Sequence, residues 1–166
     1  WSARLVKGSH IVTKKLFNHE KSYFLQGQDG RIVFAIPYET DYTLIGTTDV
    51  AHEDISEKPQ CSLEETQYLL NFVNEYFQKP VTKKDIVWSF SGIRPLYDDG
   101  SKSESAVSRD YFLDFDKNNK TSPVLHIYGG KITTYRKLAE EALDKISVIF
   151  PNMTKKWTSE SYLPGG

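Results

Sequence analysis

Ser22-Tyr23-Phe24-Leu25-Gln26-Gly27-Gln28-Asp29-Gly30-Arg31-Ile32-Val33-Phe34-Ala35-Ile36 reads as two strands, Ser22–Gln26 and Arg31–Ile36, folded about Gln28-Asp29-Gly30. Aromatic and β-branched residues suit a pleated surface, and Gly30 accepts the positive φ of a tight hairpin turn. Working outward, Tyr42–Gly46 follows after a short loop and Ser9–Lys14 precedes. Ile86–Gly92, Val107–Phe115 and Pro123–Tyr128 extend the strand set, the last two joined by Lys117-Asn118-Asn119-Lys120. Short connections make antiparallel neighbours. Two stretches read as helix. In Leu63–Lys79, Ser62 and Glu65 form a capping box, and Leu69, Phe72, Val73, Tyr76 and Phe77 make an apolar stripe that Pro80 ends. In Thr134–Ile149, Leu138, Ala139, Ala142, Leu143, Ile146 and Ile149 share one face. Strand and helix do not alternate regularly, so a doubly wound parallel sheet is not expected. The expected class is α+β, a mainly antiparallel sheet with helices packed on one face.

At 166 residues the chain is one domain, or one with a short appendage, at roughly 100–200 residues per domain. Lys and Arg number 21 against 22 acids, a net charge of -1. That balance gives no surplus of cations for nonspecific nucleic-acid binding, so no nucleic-acid partner is expected, though a local cationic pocket stays possible. The single cysteine, Cys61, excludes an intramolecular disulfide and a cysteine-cluster zinc site; no metal is expected, and the chain reads as intracellular. No apolar run reaches the ~18–20 residues of a membrane span. The chain starts at Trp1 and its one methionine is Met153, so a processed or excised piece is expected.

Strand alternation exposes cations among apolar residues. One parity set reads Val107, Arg109, Tyr111, Leu113, Phe115; another reads Ile86, Trp88, Phe90, Gly92, Arg94. Val6, Gly8, His10 and Val12 form a third, and Leu125, Ile127, Gly129 and Lys131 a fourth. An unpaired buried cation is costly, so each needs an anion, from Asp98, Asp99 or Asp110 or from a ligand, unless it snorkels at an edge. Gly8-Ser9-His10 also resembles a vector-derived remnant, but the apolar residues on both sides argue for native strand.

His126-Ile127-Tyr128-Gly129-Gly130-Lys131-Ile132-Thr133-Thr134-Tyr135-Arg136 runs from strand into helix. Its glycines allow close backbone approach, its threonines can cap, and the first N–H groups of the helix face outward. That is an anion or cofactor cradle or an ordinary tight turn. It is not a dinucleotide fingerprint, because G-x-G-x-x-G is absent from the chain.

Leu5-Val6-Lys7-Gly8-Ser9-His10-Ile11-Val12, Ile45-Gly46-Thr47-Thr48-Asp49-Val50, Ser91-Gly92-Ile93-Arg94-Pro95-Leu96, Ser108-Arg109-Asp110-Tyr111, Gly129-Gly130-Lys131-Ile132-Thr133-Thr134-Tyr135-Arg136 and Leu163-Pro164-Gly165-Gly166 occur in this order. Together they closely resemble the FAD-dependent, quinone-linked (aerobic-type) glycerol-3-phosphate dehydrogenases, over nearly the whole chain. The resemblance implies oxidation of sn-glycerol 3-phosphate to dihydroxyacetone phosphate by hydride transfer to FAD, with electrons passing to quinone. It implies a division into a substrate-binding cap region (1–128), a strand–helix segment returning to the FAD domain (129–150) and a linker (151–166) toward a C-terminal helical domain. The FAD domain and the helical domain are the implied partners, with quinone and the membrane surface. The implied location is cytoplasmic, with the parent peripherally associated with the inner membrane.

The same resemblance assigns residues. Arg94 and Arg109 match substrate-site arginines, whose planar donors suit a phosphate, and Thr48 lies in a motif near the pocket. His10 matches an active-site histidine and is the expected base. Lys131 matches a lysine near the flavin, expected to be catalytic by meeting developing negative charge. Gly129, Gly130, Lys131, Ile132, Thr133 and Thr134 are expected to approach the flavin ring. The piece alone is expected to be inactive and to hold no FAD. The alternatives are a non-catalytic phosphometabolite-binding module and an amino-acid oxidase-like flavin enzyme.

Overall fold

The computed structural model describes residues 2–117, 122–162 and 165. Apart from Lys117 and Gly165, the expected turn at Lys117-Asn118-Asn119-Lys120 and the Leu163-Pro164-Gly165-Gly166 motif lie outside the described residues, as does Trp1. The strands are β1 (Ala3–Lys14), β2 (Tyr23–Gln26), β3 (Ile32–Tyr38), β4 (Tyr42–Gly46), β5 (Val50–Ala51), β6 (Ile86–Tyr97), β7 (Tyr111–Asp116) and β8 (Val124–Gly129). The helices are α1 (Leu63–Asn74) and α2 (Tyr135–Ile146). The class is α+β with mainly antiparallel pairing, as expected.

The chain divides into two compact units, one comprising Arg4–Pro95 with Gly100–Ala106, the other Leu96–Asp99 and Val107 onward with the first residues. In the first, a six-stranded sheet runs β2-β3-β4-β1-β5, with β6 also paired to β1. The hairpin at its edge closes as the sequence requires: Gly30 has φ +78°, and Gly27 N–H donates to Arg31 O at 2.8 Å. Register places Ala35 beside Ile45 and Ile45 beside Ile11. These three, with Leu25 and Val33, bury against Leu69, Leu70, Phe72 and Val73 of α1 and against Val81.

α1 begins at the expected capping box, Glu65 N–H donating to Ser62 Oγ at 3.1 Å and Ser62 N–H to Glu65 Oε2 at 2.9 Å. It ends five residues before Lys79, because Asn74 turns its side chain onto the Val81 backbone with bonds of 2.7 and 3.0 Å. β6 runs beyond Gly92 and through Pro95 to Tyr97. Pro95 is exposed and, among the described residues, β6 pairs with β1 alone, an edge where a missing N–H is tolerated.

In the second unit, β7 and β8 form an antiparallel pair and α2 touches β7. No residue of α2 is buried, a departure from the fully packed face its periodicity predicts. Periodicity identifies an apolar face; it does not supply a surface to cover it, and two strands are a small one. Among the described residues no helix is long and apolar enough to cross a membrane.

Candidate functional site

In the first unit, the expected His10 and Arg94 meet two glycines of the sheet. His10 lies on β1 opposite Gly46 of β4. A Cβ placed on Gly46 would fall 2.1 Å from His10 Cδ2, and one placed on Gly8 would fall 2.3 Å from Arg94 Nη2. Glycine at 46 leaves room for the His10 ring, and glycine at 8 lets the Arg94 guanidinium lie where it does, so a side chain at 8 would displace it; His10 and Gly8 share the β1 parity set. His10 stacks on Phe90 of β6, ring centroids 4.9 Å apart and planes within 5°. Its Nδ1 is buried with no hydrogen-bond partner. Burial, and secondarily the Arg94 charge, push the His10 pKa below its ordinary value, so the ring is neutral at pH 7 and able to accept a proton.

Arg94 does have an anion of its own, and it is not one of the aspartates expected from sequence proximity. Its Nη1 donates to Asp49 Oδ1 at 3.0 Å and to Thr48 O at 3.4 Å, and its Nη2 to Thr47 Oγ1 at 2.9 Å. The Thr47-Thr48-Asp49 segment between β4 and β5 thus wraps the guanidinium. The Gly46–Thr47 peptide is cis. Thr48 contributes only its carbonyl to Arg94; its side chain is buried and points to α1.

That buried contact escaped the sequence reading. Glu65, 5% exposed, accepts from Ser9 Oγ at 2.7 Å and Thr48 Oγ1 at 2.6 Å through Oε1, and pairs with Lys7 Nζ at 2.9 Å through Oε2. Ser9 N–H donates to Thr48 Oγ1 at 2.9 Å, and Ser9 Oγ lies 2.7 Å from Ser91 Oγ of β6. Burial alone would raise the Glu65 pKa, but the Ser62 N–H, Thr48, Lys7 and Ser9 outweigh it and hold the carboxyl below its ordinary value. The one available signal was Ser9, a polar residue amid an apolar strand.

In the second unit the remaining expected residues are more open. Arg109 is not in a strand: β7 begins at Tyr111, and Ser108 N–H is drawn to Asp99 Oδ2 at 2.9 Å. Arg109 Nη1 donates to Val107 O at 2.5 Å. Lys131 is likewise off the strand, because Gly129 and Gly130 take φ +66° and +100° and end β8. Their turn is tight, since a Cβ on Gly129 would sit 3.2 Å from Asp110 O and one on Gly130 3.3 Å from Leu138 Cδ1. The Lys131 side chain is 55% exposed, with its Nζ 4.0 Å from Asp110 Oδ1. Ile132–Thr134 form a short 3-10 turn ahead of α2. The threonines do not cap as expected: Thr134 Oγ1 donates backward to Lys131 O at 2.9 Å. Ile132 is 88% exposed, a large apolar side chain covered by nothing in this unit. Bare glycine backbone, an exposed isoleucine and a loosely paired lysine fit the ring end of a flavin. The dinucleotide fingerprint G-x-G-x-x-G, which would meet the pyrophosphate, does not occur in the sequence. Among the described residues no cluster could hold a metal ion.

Residues 2–136 match the family described as FAD dependent oxidoreductase. The chain is 46% identical over its full length to the aerobic glycerol-3-phosphate dehydrogenase of Escherichia coli (strain K12), covering 33% of that protein. It is also 46% identical over 165 residues, 99% of its length, to the D-erythritol 1-phosphate dehydrogenase of Brucella abortus (strain 2308), again covering 33% of that protein. Among solved structures it is similar to the glycerol-3-phosphate dehydrogenase from Bacillus halodurans complexed with FAD, with a TM-score of 0.70 and 30% identity, over 93% of this chain and 29% of that one. The chain spans about a third of the length of these curated relatives.

Proposed function

The chain belongs to the family of FAD dependent oxidoreductases, and from that premise we propose that it is the substrate-binding part of a flavoenzyme that oxidises sn-glycerol 3-phosphate to dihydroxyacetone phosphate, with electrons passing to quinone. In this reading residues 1–128 are the substrate-binding region, 129–150 return to an FAD domain and 151–166 lead to a helical domain. The whole protein would be cytoplasmic and peripherally associated with the inner membrane. The observation that carries the proposal is the pair of glycine seats on adjacent strands, Gly8 of β1 under Arg94 and Gly46 of β4 under a neutral His10.

Arg94 and Arg109 are the assigned phosphate ligands, and Thr48 fixes the segment that grips Arg94. His10 takes the proton of the C2 hydroxyl as the C2–H bond gives up its electron pair, so that a carbonyl forms. The Arg94 charge disfavours an imidazolium; a phosphate dianion on Arg94 offsets that charge, so His10 is a stronger base with substrate present than without. The proton then leaves to solvent. FAD, when bound, supplies the acceptor for the hydride. Gly129, Gly130, Lys131, Ile132, Thr133 and Thr134 would hold its ring, Lys131 meeting the negative charge that develops.

The test uses the complete protein that contains this chain, purified with FAD. Anaerobic bleaching of the flavin by glycerol 3-phosphate, faster than by D-erythritol 1-phosphate or by amino acids, is expected. Bleaching by amino acids alone, or by no polyol phosphate, overturns the reading.

A further inference from the structure

We propose that Glu65 is a positioning residue: from the first turn of α1 it fixes Thr48, and so holds the Thr47–Asp49 segment where it grips the Arg94 guanidinium. The contacts have a fixed direction. Ser9 and Thr48 each have one hydroxyl proton, and each lies within 2.7 Å of Glu65 Oε1, an acceptor only when ionised. Thr48 Oγ1 therefore donates to Glu65 while accepting from Ser9 N–H at 2.9 Å. Ser9 Oγ, its proton committed to Glu65, accepts from Ser91 Oγ at 2.7 Å. Oε2 meanwhile faces two donors, Ser62 N–H and Lys7 Nζ, both at 2.9 Å.

One carboxylate thus ties the start of α1 to β1, to the β4–β5 segment and, through Ser91, to β6. Those last two elements are the ones that present Asp49 and Arg94 to each other. Thr48 is the hinge between the two networks, its hydroxyl bound to Glu65 and its carbonyl to Arg94 Nη1. The capping box alone needs only Oε2. The use of Oε1 on two residues distant in sequence is beyond what starting a helix requires.

Glutamine cannot replace the charge. With its oxygen toward Ser9 and Thr48, its NH2 meets the Ser62 N–H and the Lys7 ammonium; flipped, it meets two hydroxyl donors, one of which already accepts from Ser9 N–H. Glu65→Gln keeps the shape and breaks the anchoring.

The proposal rests on the phosphate reading of Arg94 only for its kinetic readout, so the test has two readouts. In the complete FAD-loaded protein, Glu65→Gln is expected to raise the KM for glycerol 3-phosphate about tenfold with kcat changed by less than about threefold, the pattern of lost binding without lost chemistry. Arg94→Met is expected to raise KM as well, and Glu65→Gln with Arg94→Met no further than Arg94→Met alone. In urea denaturation the double variant is expected to lose less than the sum of the two single losses, which is the coupling of groups in one network. Coupled denaturation with an unchanged KM in Arg94→Met upholds the positioning role and overturns the phosphate assignment. Additive denaturation losses, or a KM in Glu65→Gln equal to that of the unaltered protein while Arg94→Met raises it, overturn the positioning role. If Glu65→Gln does not yield folded protein, Thr48→Val, nearly isosteric and without the hydroxyl, takes its place in the same cycle with the same outcomes.

Discussion

Arg94 and Lys131 are both assigned to anions, and the chain treats them in opposite ways. Arg94 is gripped by three consecutive residues, lies over a glycine and is backed by a buried carboxylate one step away. Lys131 stands at the end of a glycine turn, 55% exposed, with Asp110 at 4.0 Å. The supporting elements differ in the same sense. α1 buries Leu69 and Val73 completely against a sheet, whereas α2 leaves even its apolar face, Leu138, Ala142 and Ile146, only half-buried. A site whose geometry is specified within the chain can be rigid before any ligand arrives. A site without that backing takes its order from what binds it, which is the condition expected of a cofactor-facing segment.

The largest expected effects are on turnover in the complete protein. His10→Ala is expected to lower kcat and kcat/KM together by about 10²–10⁴-fold, as removal of a general base does. Lys131→Ala is expected to cost about 10²–10³-fold, the effect of losing one group that meets developing charge. Normal kcat from about pH 6 to about pH 9 in a His10 variant, where the unaltered imidazole is a neutral base, would remove that residue from the mechanism.

Arg94→Met is expected to weaken glycerol 3-phosphate binding by about 2–5 kcal/mol, the range for removing one partner of a buried charged pair. Because Asp49 then loses the donor that lies 3.0 Å away, stability should also fall, by about 1–3 kcal/mol. Lys131→Met should leave stability unchanged within about 0.5 kcal/mol, since an exposed pair contributes little. Equal stability losses in the two variants would abolish the contrast between the sites.

The helices give a third contrast. Leu69→Ala is expected to destabilise by about 2–5 kcal/mol in urea denaturation, through lost burial and a cavity. Leu143→Ala, at a side chain 47% exposed, should change stability by less than about 1 kcal/mol in this chain. A cost at Leu143 matching that at Leu69 would mean that the α2 face is covered.

These contrasts track what was legible in the sequence. Ser62 and Glu65 announced the start of α1, and Tyr42–Gly46 and the Gly30 turn were readable, because each depends on neighbours a few residues apart. The α2 periodicity was equally readable, but the surface it meets is not a local property. His10 and Arg94 were found because both stay on strands, where parity holds. The same rule misplaced Arg109 in a strand and carried parity past Tyr128 to Lys131: Ser108 N–H bonds Asp99 ahead of β7, and two positive-φ glycines end the alternation before Lys131. Proximity suggested Asp98, Asp99 or Asp110 for Arg94, whereas Asp49, 45 residues away, takes that place. Nothing local links Glu65 to Ser9, 56 residues apart.

The smallest effect expected is on the pH dependence of stability, and it too divides the regions. His10 has a folded pKa below its unfolded value of 6.5. Between the two values the unfolded chain carries a proton that the folded chain does not, so stability falls as pH drops through 6.5 and levels off below the folded value. Glu65 also has a depressed folded pKa, against an unfolded value of 4.5. Its contribution is complete above 4.5 and is lost as pH falls through the folded value, where protonation removes the acceptor that Ser9 and Thr48 share. Exposed Asp29, Asp54 and Glu64, and half-buried Asp85, each lowered by local hydrogen bonds, add to that acid limb. In the second unit Tyr111 and Lys156 are both raised from values well above neutrality, so these two groups contribute no acid step. Urea midpoints measured from about pH 8 to about pH 3, roughly 1.5 units beyond the unfolded values of His10 and Glu65, should therefore show a shallow upper step and a steeper lower one. His10→Asn should erase the upper step and leave the lower. An upper step that survives His10→Asn would place the neutral-range titration on another group and take away the physical ground for a neutral, proton-accepting His10 beside Arg94.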